Sequence, residues 1–347
     1  MADIFSIACD ALPGDVTVVS IKGHEGLSEI YRFEVGLLTA DAGFDFRAAV
    51  RARATIHFHL GDDAPPYTVN GVFAAVEHLH SWDGKSLYRA LLVPQLWQSL
   101  LTRHSRVFTD LSVPDILKLV LEASGLTNQD FDLRLQSNYP AHDFIAQYKE
   151  SNYAFMARWM EREGLYYFFE HGEEREKLVI TDSLSFHEDQ PGGLVRYVAD
   201  AAEDYSSAQA FDRFVCKSMA LPAKIELIDY DYLNPALNLV GKADVGQGFG
   251  EELKAQENVF TGTGLVHHLR TGYRFQLDEH PVGAFNAGYL TTQLEHRGNQ
   301  AANDAKIRSL LGIDFDNTYE ATVTAIPAEV QYRHPRKTEW PRVEGFE

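Results

Sequence analysis

Cysteine is nearly absent from this 347-residue chain: Cys9 and Cys216 are the only two. Two isolated thiols give neither a disulfide framework nor a metal cluster, and suit a reducing cytoplasm. Long apolar runs are missing too, and a helical membrane span needs about 20 such residues. Met1-Ala2-Asp3-Ile4-Phe5 has no basic start and no extended apolar region, so it does not read as a secretory signal. A protein with this start that leaves the cell does so by another route. Basic residues are scarce beside acidic ones, 31 against 50, for a formal net charge of −19. That balance argues against a nucleic-acid backbone or an anionic membrane as partner. Enzyme signatures are lacking as well. There is no GxxxxGK[ST], no HExxH and no GxSxG.

Hydrophobic residues make up 45% of the chain and charged residues 23%, values of a globular protein. The length suggests two or three domains. Residues 1–100 read as closely spaced antiparallel strands: Val16–Ile21, then a turn at Gly23–Gly26, Tyr31–Leu37, and Arg53–Leu60 with Ile56, Phe58 and Leu60 on one face. Gly61–Pro66 is a turn cluster, and Tyr67–His80 and Lys85–Pro94 flank the hairpin dipeptide Asp83-Gly84. Such spacing predicts a small barrel.

From Leu96 the pattern turns helical. Ser112 as N-cap with Pro114 in the first turn starts a helix whose stripe is Ile116, Leu117, Val120 and Leu121, and Gly125 stops it. Phe131–Leu135 is a short strand. Ser151 and Asn152 then cap a second helix, with Phe155, Met156, Trp159 and Met160 as its buried stripe. Arg158, Glu161 and Arg162 lie off that stripe and are expected in water. Gly164 is placed to end the helix in a left-handed turn, and the aromatic strand Leu165–Phe169 follows. Tyr166–Glu170 is expected to pair with Leu178–Asp182, and Trp159 and Phe155 to pack on that hairpin. Residues 101–204 thus read as an α+β domain.

Strands resume after Tyr205. Ile225–Tyr232 is one, Asn234–Gly264 reads as a glycine-rich loop, and Leu265–Arg274 as a strand or short helix. Phe275–Leu277, Tyr289–His296 and Tyr319–Ile326 read as strands of a second β module within 205–347. The two modules echo one another: Gly71–His78 matches Gly288–His296 with one insertion. A strand led by tyrosine and ending in proline follows each, Tyr88–Pro94 and Tyr319–Pro327.

Candidates for chemistry are few. His57 and His59 share one strand face at i, i+2, as do His78 and His80, and four imidazoles on adjacent strands could hold zinc; outward polar positions of half-buried strands explain them as well. His267 and His268 point to opposite sides of any strand. Gly246-Gln247-Gly248-Phe249-Gly250 lacks the third glycine spacing of a dinucleotide loop. Asp62/Asp63 and Glu251/Glu252 are carboxylate pairs with nothing to set them apart from solvated turn acids. Cys9 has no thiol-protease signature around it. The residues give no catalytic, cofactor-binding or metal site.

The stretch QYKESNYAFMARWMEREGLYYFFEH resembles the VgrG family of type VI secretion, through Gln147, Tyr148, Glu150, Phe155, Arg158, Glu161, Glu163, Gly164, Tyr167, Phe168, Phe169 and His171. Tyr88–Arg106, Phe275–Pro281, Gly283–Gly298, Tyr332–Arg336 and Pro341–Gly345 also fit that family's pattern. The resemblance implies a mixed, mainly β fold, with two related antiparallel barrels flanking an α+β domain. It implies a homotrimeric, pseudo-sixfold hub, with residues 142–169 outside the ring, that caps a tube of Hcp-like hexamers and contacts baseplate proteins, a spike tip and secreted effectors. No enzyme activity and no cofactor are implied, and assembly takes place in the cytoplasm before injection. The family commonly continues into an OB-fold and a β-helical needle. With the sequence ending at Glu347, the expectation is either a piece of a longer protein or a hub without its own spike. Two alternatives stand beside this reading: a contractile-phage baseplate hub, which shares the fold, and a secreted β-rich hydrolase or carbohydrate-binding protein.

Overall fold

A computed structural model describes residues 4–41, 43–59, 67–199, 210–230, 233–245, 250–301 and 304–342. The turn cluster 61–66, the carboxylates Asp62 and Asp63, the glycines 246 and 248, and the segment 343–347 lie outside the described residues.

The first six strands are β1 (Phe5–Ala8), β2 (Thr17–Gly26), β3 (Arg32–Thr39), β4 (Arg53–Phe58), β5 (Tyr67–Trp82) and β6 (Lys85–Val93). They lie side by side in the order β1-β4-β5-β6-β3-β2. Inward alternation fills the ring: Ile56, Phe58, Val35, Leu37, Phe73 and Leu92 are all buried. β1 and β2 meet at a seam closed by one side chain. The Gln300 carboxamide oxygen accepts from the Ile4 and Phe5 amides, and its NH₂ donates to the Phe5 and Val18 carbonyls.

A helix-and-strand body follows a 3₁₀ turn at Gln95–Leu100. It comprises β7 (Arg103–Phe108), β8 (Leu111–Ser112), α1 (Val113–Ala123), β9 (Phe131–Arg134), β10 (Ala141–His142), β11 (Ile145–Ser151), α2 (Asn152–Glu163), β12 (Tyr166–His171) and β13 (Glu176–Thr181). Ser112 and Ser151 cap the two helices by accepting from Asp115 and Ala154, and Gly164 ends α2 at φ 78°. β12 pairs antiparallel with β13, as expected, and β9 adds to it in parallel.

Six more ring strands follow: β14 (Asp189–Tyr197), β15 (Ala210–Ser218), β18 (Asn258–Gly264), β19 (Arg274–Asp278), β20 (Gly288–Asn299) and β21 (Tyr319–Pro327). Between β15 and β18 the chain makes the ribbon β16 (Lys224–Tyr230) and β17 (Asn238–Asp244), then α3 (Glu251–Lys254); α4 (Ala305–Leu311) links β20 to β21. This ring closes on itself as β20-β19-β14-β15-β18-β21-β20. Its aromatic core packs Phe214, Phe260, Phe275 and Tyr289 edge to face and stacked. β14 falls inside the span that reads as the middle domain, yet it hydrogen-bonds into this second ring.

Four expectations need correction. Gly23–Gly26 is no turn, because β2 runs straight through it. A side chain at Gly23 would put its Cβ 2.3 Å from the Phe33 ring, so glycine serves close packing there. The loop-like stretch 234–264 contains β17, α3 and β18. Leu265–Arg274 is an irregular buried connection, neither strand nor helix apart from its last residue. Arg158 and Glu161 are buried, at 2% and 5% exposure, because α2 is covered on a second side.

Candidate functional site: the junction of the rings and the strap on helix 2

The two rings share a sheet. β2 and β20 pair antiparallel from Ser20↔Asn299 to Gly26↔Gln293. Beneath this ladder lies a sealed polar cluster. Alternation along β2 turns Glu25 inward, where it meets His296 Nε2 at 2.9 Å, and His296 Nδ1 meets the Tyr319 hydroxyl at 2.6 Å. One wiring satisfies all three: Tyr319 donates to Nδ1, and Nε2–H donates to the Glu25 carboxylate. Burial holds the Tyr319 phenol well above its ordinary range, so it keeps its proton. Tyr67 and Thr271 hydroxyls also approach Glu25, each at 3.4 Å. The Arg270 guanidinium lies 3.4 Å over the Tyr67 ring and donates to the Thr68 carbonyl. Glutamate, histidine and tyrosine in line is a set that could move protons, but His296 and Tyr319 are at most 1% exposed. The cluster ties β2, β20 and β21 together and offers no face to a substrate.

The second feature is a strap formed by residues 331–340 on α2. Glu161 Oε2 accepts from the Lys337 and Thr338 amides, and Oε1 from the Thr338 hydroxyl at 2.7 Å. Trp340 packs edge-on against Trp159 and under the Arg158 guanidinium, 4.4 Å away. Arg158 in turn grips Glu150 with two hydrogen bonds of 2.9 and 2.7 Å and donates to the Ala146 carbonyl. Trp159 makes ring contacts with His142 and Trp340, and Phe155 stacks on Phe108, while both lie in one buried core with Tyr167, Phe169, Leu178 and Ile180 of the hairpin. Tyr153 reaches that hairpin through the Tyr167 hydroxyl.

The structure separates the histidine pairs. His57 lies opposite Thr68, ten residues along β5 from His78, roughly 33 Å of strand. His78 bonds Ser81, and a bulge lies between His78 and His80. No group of three or more His, Cys, Asp or Glu able to hold a metal occurs among the described residues. His267 and His268 are both buried in the 265–273 connection, with His267 stacked on Tyr319. Glu251 sits near Arg333, at 3.9 Å, and Glu252 follows it in α3. Burial pushes the Cys9 thiol up, away from the thiolate a nucleophile needs. Sequence reasoning missed the junction cluster and the strap. The glutamate and histidine of the cluster lie 271 residues apart, and the strap partners of Glu161 lie 176 and 177 away.

Two β rings joined strand to strand, with a helical body between them, define a twin-ring scaffold. The chain belongs to the phage tail baseplate hub (GPD) family, whose pattern matches residues 24–251 and 247–302. It is 27% identical over 378 residues to the type VI secretion system spike protein VgrG4b of Pseudomonas aeruginosa, across 98% of this chain and 45% of that protein. It is 25% identical to spike protein VgrG3 of Vibrio cholerae, across 98% of this chain and 36% of the other. The chain thus spans about half or less of the length of these curated relatives. Among solved structures, the E. coli c3393 protein, a type VI secretion component similar to the phage T4 tail proteins gp27 and gp5, superposes with a TM-score of 0.72. That match has 20% identity and covers 98% of this chain and 82% of that one. A tail protein from Neisseria meningitidis gives 0.60 at 11% identity, covering 94% and 97%. These similarities establish the fold as that of phage and type VI hubs.

Proposed function

We propose that this chain is the structural hub of a contractile injection machine of the type VI kind. Three copies form a pseudo-sixfold ring that caps a tube of Hcp-like hexamers. The observation that carries this reading is the presence of two six-stranded rings in one chain, since three chains with two rings each match sixfold symmetry. In this reading the rings, in residues 1–100 and 205–347, surround the axis, and the body of residues 101–204, with α2 and its hairpin, faces outward. β14 joins the second ring from within that middle span. The hub assembles in the cytoplasm, engages baseplate proteins, and leaves the cell with the spike and its effectors. It works by assembly and force, without catalysis, metal or cofactor. A phage or phage-like baseplate hub is the second reading, favoured by the family match and the Neisseria tail protein.

Light scattering across concentration and salt tests the proposal. The expected result is a homotrimer at high concentration, weakened at low salt, because each chain carries −19 and three sum to −57. A monomer under every condition, or a stable twofold dimer, counts against it. Turnover of peptidoglycan or peptides that vanishes on mutating one residue pair would overturn the non-catalytic part.

A further inference from the structure

The two rings correspond strand for strand from β2 to β6, while β14 takes the place of β1 but runs the other way, parallel to β19 where β1 is antiparallel to β4. Two bulges are shared, and the shift in β5 between His78 and His80 belongs to the first ring alone. In sequence order β1 to β6 match β14, β15, β18, β19, β20 and β21, and the spatial order β1-β4-β5-β6-β3-β2 becomes β14-β19-β20-β21-β18-β15. The register shift in β2 between Val18 and Ser20 recurs in β15 between Phe211 and Arg213. The shift in β5 between Phe73 and Ala75 recurs in β20 between Thr291 and Gln293. Followed from β20 to β18, the equivalence closes without slip: Phe33↔Leu92 in the first ring becomes Phe260↔Ala325 in the second.

Within the chain, β2 of the first ring lies along the outer edge of β20 in the second. The equivalent strands are β15 and β5. Among the described residues, no strand pairs with the outer edge of β15 beyond Phe211, or with that of β5 beyond Val72. Both edges are exposed at Arg213, Val215, Lys217, Glu77, His78 and His80. Two open edges whose counterparts are already paired to each other define a head-to-tail contact.

We propose that β15 of one copy pairs antiparallel with β5 of the next copy, in the register of the β2–β20 junction. This rests on the trimeric-hub reading and supplies its interface. Transferring each pair gives Arg213 opposite Trp82, Phe214 opposite Ser81, Val215 opposite His80, Cys216 opposite His78, Lys217 opposite Glu77 and Ser218 opposite Val76. The register sets a cation against an anion at Lys217–Glu77, where the intrachain junction has His24 opposite Glu295. It also covers His78 at the position where His296 is fully buried. Repeated three times, the contact joins rings alternately within and between chains and leaves no open edge of this kind.

Cys216 makes the register testable. Residues directly opposite across antiparallel strands have Cα atoms about 4.5–5.5 Å apart, within disulfide reach. In a Cys9→Ser background, His78→Cys is expected to give disulfide-linked dimers and cyclic trimers under mild oxidation. Glu122→Cys, on an exposed position of α1, serves as the control and is expected to react at least tenfold more slowly. Separately, Glu77→Lys is expected to weaken the trimer at least tenfold in light scattering, and Lys217→Glu in the same chain to restore it. A trimer that forms without the His78→Cys crosslink, or without rescue by the charge swap, overturns the register and leaves the hub reading standing. A protein monomeric at every concentration, with no crosslink, overturns both.

Discussion

The first and second rings share one strand order but close differently, with β14 running opposite to β1. In the second, β14 and β15 complete the circle with backbone pairs at Arg196↔Ala210 and Tyr197↔Phe211. In the first, β1 and β2 are bridged by the Gln300 side chain, which comes from just beyond the second ring's β20. The connections differ too. Asp83-Gly84 makes a tight turn where the second ring inserts α4, and residues 27–31 do the work of the long β16–β17 ribbon. Equivalent histidines also part ways: His296 is sealed at the junction, while His78 stands in solvent and bonds Ser81. A shared strand order therefore fixes neither the seam nor the environment of matched positions; these follow from what neighbours each edge.

The largest expected effect comes from breaking what the rings share. His296→Ala removes the partner of a buried carboxylate and should cost about 3–5 kcal/mol in urea unfolding. Both rings should loosen together, which one cooperative transition reports.

Acid should act on both rings: burial holds His171, whose Nδ1 accepts from the Asn70 amide of β5, well below the usual imidazole range, and the second ring's side has more such groups. Burial lowers His187 and His267 to about 4, and the 40–52 connection, the first ring's counterpart of 265–273, has no histidine. Each imidazole is neutral when folded and takes up a proton more readily when unfolded. The stability is full above about pH 6.5 and is lost as pH falls toward 4. Holding each imidazole at about 4 rather than its ordinary 6.5 corresponds to about 3 kcal/mol per site. His187→Phe gives up the hydrogen bonds to Tyr166 and Gly272, but should flatten the dependence of the urea midpoint between pH 6.5 and 4.

Gln300→Ala should open only the first ring's seam, at about 1–3 kcal/mol. Hydrogen exchange at the Ile4 and Phe5 amides should quicken, while amides of β15 and β18 stay protected. Smallest of all, Ile228→Thr on the ribbon should change stability by less than about 0.5 kcal/mol, since Ile228 is 75% exposed. A larger loss in calorimetry would mean that the ribbon packs on its own ring.

Much of this fold is legible in the sequence because its signals are local. Caps, the Phe155–Met160 stripe and the glycine stop mark α2, and the Gly71–His78 echo marks one strand pair of the repeat. The other four equivalences are invisible, since Val35 and Gly262 hold matched places with no chemistry in common. Arg158 and Glu161 misled for a related reason. Helical period tells which face packs first, and the strap that covers the second face arrives from some 180 residues away. Gly23 misled because flexibility and close approach call for the same residue.

The Gln300 bridge has a consequence for synthesis. The first ring's last strand ends at Val93, but the side chain that closes its seam is made about 200 residues later. At about 5–20 residues per second, β1 and the edge of β2 wait roughly 10–40 s on the ribosome. During that interval the nascent chain holds an unclosed β edge beside apolar strands. The first ring is then a stretch where binding of a chaperone would precede, and end with, the emergence of β20.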